Sequence, residues 1–247
     1  MLQNGQIDDR KIEKFKKEAK ERGKGNQWLA YAVDLADEEK TKGITVEVGH
    51  STFFTETKQF TVFDAPGHKN YVPNMIIGTV FADYAGLVIS AKEGEYEMGF
   101  KKEGQTREHI HIAKILGVEQ VIVVVTKMDD PTVNWSETRF NNIKANLTPF
   151  LIKRGYREDR ISFVPISGIT GQNVLEPIGD VCPWYKGMTL IQILDKLPFK
   201  ERDPNDPLRI PIIDKMTDKG VIAHGKIESG MVRVGDKVMI SPSGYHA

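Results

Sequence analysis

Three short stretches carry residue types that can do chemistry, and each directly follows an apolar run. Asp64-Ala65-Pro66-Gly67-His68 follows Phe60-Thr61-Val62-Phe63, Thr126-Lys127-Met128-Asp129 follows residues 121–125, and Ser167-Gly168 follows residues 161–166. Open α/β sheets bind their ligands just beyond the carboxyl ends of buried strands. In the first stretch, Asp64 can hold a Mg²⁺-bound water, and Gly67, with no Cβ, lets a backbone N–H come close to a phosphate. His68 can position an attacking water. In the second, the Asp129 carboxylate can accept two hydrogen bonds, from the N1–H and the N2 amino group of guanine. Adenine offers an N1 lone pair there and no amino group. A bidentate base contact of this kind discriminates by ~1–3 kcal/mol. The stem of Lys127 can lie against the base face. In the third, backbone N–H groups near Ser167 and Gly168 can donate to guanine O6.

These loops need strands and helices to position them. Residues 46–54 and 59–63 predict two strands joined around Glu56-Thr57-Lys58, and a helix follows over 70–77. The continuous apolar runs at 85–90 and 121–125 predict strands buried on both faces. Residues 92–105 read as a charged loop and 106–116 as a helix stopped by Gly117. Residues 135–153 form an amphipathic helix pattern, with Phe140, Ile143, Leu147, Phe150 and Leu151 on one face. A strand is expected over 161–166, and Thr189-Leu190-Ile191-Gln192 is a capping box for a helix through Leu197. Upstream, 8–22 reads as a charged helix, 28–33 as a short apolar patch and 37–45 as a polar loop. Strands alternating with helices predict an α/β fold with a doubly wound, mostly parallel sheet over 1–200. A charged, proline-containing linker is expected at 201–207, and 208–247 reads as the start of an antiparallel β-barrel.

The chain has 247 residues, enough for a substantial core. Lys plus Arg and Asp plus Glu both number 34, so net charge supplies no overall pull toward nucleic acid or membrane. No membrane or DNA partner is expected. The single cysteine, Cys182, excludes an internal disulfide framework and fits a reducing compartment. No apolar run approaches the ~18 residues of a membrane span. Residues 1–22 lack the apolar segment of a signal peptide, and a cytoplasmic protein is expected. Cys182 has no base placed beside it by sequence and reads as a packing residue. His109 and His111 are two apart, a spacing that puts them on different helix faces and argues against a metal pair. The lysines of 11–24 and Lys101-Lys102 read most simply as solvated surface.

With its three loops in this order, the chain resembles the translational GTPases. Gly43-Ile44-Thr45 resembles the family's switch I motif, Asp64–His68 its switch II motif, Thr126–Asp129 its base-specificity motif and Ser167-Gly168-Ile169 its last guanine loop. The resemblance extends to Gly104-Gln105-Thr106-Arg107-Glu108-His109. The 130–136 insert and Cys182-Pro183-Trp184-Tyr185 are more similar to the release-factor branch than to elongation factor 1-alpha or the ribosome-rescue GTPase. The resemblance implies a nucleotide site built from Asp64, Ala65, Pro66, Gly67, Thr126, Lys127, Met128, Asp129, Ser167, Gly168 and Ile169. Thr45 would ligate Mg²⁺, Asp64 would hold it through water, and His68 would be the catalytic residue that positions the hydrolytic water. It further implies a translation termination factor that hydrolyses GTP to GDP. Its partners would be the ribosome and a stop-codon-reading class I release factor.

Two departures stand out. Thr126 replaces the family's usual asparagine but keeps a hydrogen-bonding side chain. No G-x-x-x-x-G-K-[ST] occurs in the chain. The phosphate-binding loop is therefore expected upstream of Met1, as in an N-terminally truncated P-loop GTPase domain lacking its first strand. That loss predicts unpaired edges and uncovered apolar faces on neighbouring strands. The alternatives are a ribosome-rescue or elongation-factor-1-alpha-like GTPase and, from another class, an inactive GTPase-like remnant or binding module with no turnover.

Overall fold

The computed structural model describes residues 13, 17, 46, 48–102, 104–199, 202–217 and 220–247, with the backbone alone at 214 and 216. Most of the expected 8–22 helix, the 28–33 patch and the loop containing Thr45 lie outside the described residues; Glu13 and Lys17 are helical. The chain forms two compact units, Met1–Leu197 and Pro198–Ala247.

In the first unit the elements run β1 (Gly49–Phe54), β2 (Gln59–Asp64), α1 (Val72–Phe81), β3 (Ala85–Ser90), α2 (Glu95–Phe100), α3 (Gln105–Ile115), β4 (Val121–Thr126), α4 (Glu137–Lys153), β5 (Ile161–Pro165) and α5 (Leu190–Lys196). β4 lies between β3 and β5 and is parallel to both. Val121, Val123 and Val125 face a core built with Ile110 of α3 and Phe140, Ile143, Leu147 and Leu151 of α4. Ile122 and Val124 face the opposite way, against Val164, Ile166, Ile193 and Leu197. Both faces of β4 are thus covered by helices, the doubly wound arrangement the apolar run predicted. In register, Ser90 pairs with Thr126 and Val125 with Pro165, so the three carboxyl ends are level.

β1 and β2 form an antiparallel hairpin, Gly49 opposite Asp64 and Phe54 opposite Gln59. Its turn is docked on the end of α5. Thr55 Oγ1 and Thr57 Oγ1 donate to Asp195 Oδ1 at 2.5 and 2.9 Å. Lys58 Nζ donates to the carbonyls of Asp195 and Leu197. A cation at a helix C-terminus sits where the helix dipole favours it. Among the described residues, β2 and β3 belong to separate sheets, and Val88 on β3 is 66% exposed.

The expected helix at 70–77 is a 3-10 turn, Lys69–Tyr71, followed by α1 to Phe81. The expected charged loop at 92–105 contains α2. Its six residues are too few to stand alone. A partner from α4 holds it: Arg139 donates to Glu97 Oε1 at 2.7 Å and also to the carbonyls of Ala91 and Lys92. The second unit carries two antiparallel two-stranded ladders, β6 (Ile212–Thr217) with β7 (Val221–Gly225) and β8 (Met239–Ile240) with β9 (Tyr245–His246). Ahead of β6, residues 208–211 make only an isolated bridge, Arg209 with Ser229.

The side chain of Leu147 is fully buried at the centre of the α4 face. Leu147→Ala should destabilise the first unit by about 2–5 kcal/mol. A urea midpoint matching wild type would show that the α4 face does not anchor the sheet.

Candidate functional site

Asp64 ends β2, opposite Gly49. The chain then leaves the hairpin through buried Pro66 to exposed Gly67 and His68. His68 caps the 3-10 turn: its Nδ1 accepts from the N–H of Asn70 at 3.3 Å, and its ring lies 5.9 Å from that of Tyr71. With Nδ1 accepting, Nε2 is the ring nitrogen left to face solvent. α1 packs close behind this loop. A Cβ on Gly78 would lie 3.1 Å from Val48 Cγ1 and 3.5 Å from Ala65 Cβ, so the absence of a side chain lets helix and loop approach. Asn74 Nδ2 donates to the carbonyl of Val46 at 2.7 Å. Val46 follows Thr45 directly, so α1 holds the segment next to the expected switch threonine. This tie spans 28 residues, and no local sequence signal announces it.

The other two loops are built together. Met128 is fully buried; its N–H donates to Ile166 O at 3.3 Å and its carbonyl accepts from Trp135 N–H at 2.7 Å. The Thr126–Asp129 turn is thereby stitched to the end of β5. A Cβ on Gly168 would lie 3.6 Å from Thr126 Oγ1, so Thr126 and Gly168 bring the two loops into contact. Among the described residues, the non-glycine residues with positive φ are Lys127, Asn134, Trp135 and Asn173, at 59°, 44°, 51° and 59°. All four shape these two loops, where backbone strain is held by tertiary bonds. Asn173 is buried and its Nδ2 donates to Pro165 O at 2.8 Å. Trp184 of the Cys-Pro-Trp-Tyr stretch donates from Nε1 to Trp135 O at 2.7 Å, joining the 182–185 stretch to the 130–136 segment.

The polar groups of these loops differ in what they leave open. The half-buried Asp129 carboxylate has no hydrogen-bond partner among the described residues, so its lone pairs remain available. Lys127 Nζ is engaged by Glu95 Oε2 at 2.6 Å, and this bond holds the Glu95 carboxyl below its usual range. Sequence reading missed Glu95, which comes from the short α2. The Ser167 N–H is occupied by Gln172 O at 3.2 Å, and Ser167 Oγ accepts from Thr170 N–H. The expected backbone donors to a guanine O6 thus reduce to those of Gly168 and Ile169. Ile169 is exposed. Thr45 lies outside the described residues. Among the described residues no cluster of three or more His, Cys, Asp or Glu side chains is present. A single strand-end carboxylate such as Asp64 still suits Mg²⁺, which keeps most of its waters and is completed by substrate phosphates.

The two helix histidines separate as their spacing requires. His111 is exposed, whereas His109 faces inward, its Cε1 3.8 Å from the position of a Cβ on Gly67. His109 Nε2 and Gln105 Oε1, one helical turn apart, are buried without hydrogen-bond partners among the described residues. Cys182 is buried and burial raises its thiol pKa, as a packing residue requires.

Residues 1–200 match the elongation factor Tu GTP binding domain, and the chain belongs to this family of translational GTPases. Its relatives include eukaryotic peptide chain release factor GTP-binding subunits. That of Kluyveromyces lactis is 46% identical over 241 residues, covering 97% of this chain and 34% of the relative. That of Schizosaccharomyces pombe is 45% identical over 241 residues, covering 96% and 36%. The chain therefore spans about a third of the length of the curated relatives it matches. The solved structure of sup35 complexed with GDP aligns with a TM-score of 0.59 at 34% identity, over 99% of this chain and 51% of that one. The Saccharomyces cerevisiae Ski7 GTPase-like domain, bound to GDP and inorganic phosphate, shares the fold at a TM-score of 0.75 and 17% identity, over 99% and 57%.

Burial holds the His109 pKa below its ordinary 6.5, with Glu108 opposing weakly. The unfolded chain takes up this proton at higher pH than the folded chain does. The contribution to stability is full above 6.5 and is lost as pH falls from there through the lower folded value. Urea midpoints between about pH 7.5 and about pH 5.5 should fall less steeply for His109→Gln than for wild type. Equal pH slopes would refute the buried neutral state.

Proposed function

We propose that this chain is the guanine-reading and γ-phosphate-sensing portion of a GTP-hydrolysing translation termination factor. The observation that carries the reading is the unengaged Asp129 carboxylate at the carboxyl end of β4, with Thr126 against Gly168 beside it. A carboxylate held there as an open acceptor fits the paired donors of guanine N1 and N2. The release-factor subunits that match nearly the whole chain, and the GDP named in the solved sup35 structure, support the same reading.

In this reading Ala65, Pro66 and Gly67 carry the backbone toward the γ-phosphate, and the Nε2 side of His68 orients the attacking water. The Nδ1 bond to Asn70 fixes the ring for that task. Lys127 flanks the base with its stem while Glu95 holds its ammonium. Mg²⁺, held by Thr45 and through water by Asp64, would neutralise charge on the phosphates. The ribosome would order His68, and a class I stop-codon-reading factor would be the protein partner, in the cytoplasm. Domain limits of 1–200 and 208–247 with a linker between them, the second unit being the start of a β-barrel, belong to the same proposal.

The chain has no G-x-x-x-x-G-K-[ST], so its affinity for GTP should be weaker than micromolar. NMR titration reaches that range. GTP should shift the amide signals of Thr126–Asp129 and Ser167–Ile169 more strongly than ATP does. Asp129→Asn should reduce the guanine preference by about 10- to 100-fold, the value of one bidentate base contact. An undiminished preference for GTP over ATP would sink the role given to Asp129.

A further inference from the structure

Away from these loops, an open cleft of about 380 Å³ is lined by Lys102, Gly104, Arg107, Glu108, His111 and Arg154. Two arginines share one aromatic ring there. The guanidinium carbon of Arg107 lies 4.9 Å from the centre of the Phe150 ring and 4.4 Å from that of Phe100; the guanidinium of Arg154 lies 5.0 Å from Phe150. The Phe100 and Phe150 rings meet edge to face at 5.4 Å, so the support under Arg107 is rigid. Arg107 spends its Nε on the carbonyl of Phe100 at 2.7 Å, which leaves both terminal nitrogens for another acceptor.

Among the described residues the charges around this cleft are unbalanced. Several other cations of the first unit are paired with carboxylates, among them Lys127 with Glu95, Arg139 with Glu97 and Arg157 with Asp159. Among the described residues, Lys102, Arg107 and Arg154 make no ion pair, and Glu108 is the one acid in the lining. Gathering three cations around a cleft costs free energy unless an anion shares it. The arginine at the end of α4 is partly explained by the helix dipole, but that does not account for Arg107, three positions into α3, or for Lys102 in the preceding loop.

We propose that this cleft binds the phosphate backbone of single-stranded RNA. Guanidinium groups fixed by stacking present planar forks to phosphate oxygens with little ordering left to do. The cleft is open, and Lys102 and His111 stand exposed among its lining residues, so a polymer can continue past it. The His111 imidazole offers a face on which an unpaired base can stack, a contact that neither free phosphate nor an acidic peptide uses. The proposal does not depend on the reading of the guanine loops.

The test is fluorescence anisotropy of the whole chain with a fluorescein-labelled oligouridylate of about ten nucleotides, across a salt series. Wild type should bind at low salt. The double variant Lys102→Gln/Arg154→Gln should bind about tenfold more weakly, with a salt slope smaller by about 1.4, or 0.7 for each phosphate contact removed. Both positions are exposed, and circular dichroism melts check that the fold is kept; Lys102→Gln alone, in a loop, should show half the slope change. Lys186→Gln, exposed and remote in sequence, should bind as wild type. Equal losses from Lys186→Gln and the double variant would overturn the proposal. So would displacement of the RNA by inorganic phosphate at matched phosphate concentration, or by polyglutamate at matched charge. Failure here would leave the GTP-induced amide shifts unaffected, and the reverse holds equally.

Discussion

Burial of β4 on both faces is the constraint on which the first unit depends. A strand with no solvent face must satisfy its backbone through neighbours on both edges and its side chains through helices on both sides. Residues 121–125 meet the second demand with nothing but Val and Ile, and β3 and β5 meet the first. Parallel neighbours then force crossover helices, so α3 and α4 lie over one face while α5 lies over the other. The level carboxyl ends follow from that register. They put Thr126 and the end of β5 side by side before any loop residue is specified.

The loops beyond those ends are held by bonds that cross between them. Met128 is the key residue. Its buried side chain anchors the turn in the core, its N–H reaches Ile166 and its carbonyl reaches Trp135. These contacts hold Lys127, Asn134 and Trp135 in the left-handed region, where unaided residues of these types rarely settle. The result is a rigid mount for one open carboxylate, Asp129. The Asp64–His68 loop is supported differently. Close packing at Gly78 and the Asn74 bond to Val46 fix it from below, and His109 backs it from the side.

Charge is distributed with the same economy. Zero net charge conceals a division between cations that are neutralised and cations that are not. Arg139 binds two backbone carbonyls and Glu97 together, which lowers the Glu97 pKa to about 2 and stabilises the otherwise marginal α2. That helix in turn supplies Glu95 to Lys127. Arg107 and Arg154, by contrast, rest on aromatic rings; Arg107 gives its Nε to the carbonyl of Phe100, and neither makes an ion pair among the described residues.

The sequence by itself determined the α/β class, the order of its elements and the loops that matter. Continuous apolar runs mark strands buried on both faces, and polar residues directly after such runs mark strand ends. These are local patterns, and the strands at 85–90, 121–125 and 161–165 and the helix 137–153 fell close to where they predicted. Relatives at 46% identity agree with the family read from the motifs. Only the tertiary structure decided α2, because its stability comes from Arg139, 42 residues away from Glu97. Only it showed that the Ser167 N–H is already occupied, that Lys127 is held by Glu95, and that the 130–136 insert and Trp184 are bonded to each other. It showed that His109 is the one facing inward, half-buried, while His111 is exposed, and it brought Lys102, Arg107 and Arg154 around one cleft. The reason is physical. Periodicity and turn chemistry act over a few residues, whereas hydrogen bonding, desolvation and charge pairing depend on neighbours that only folding brings together.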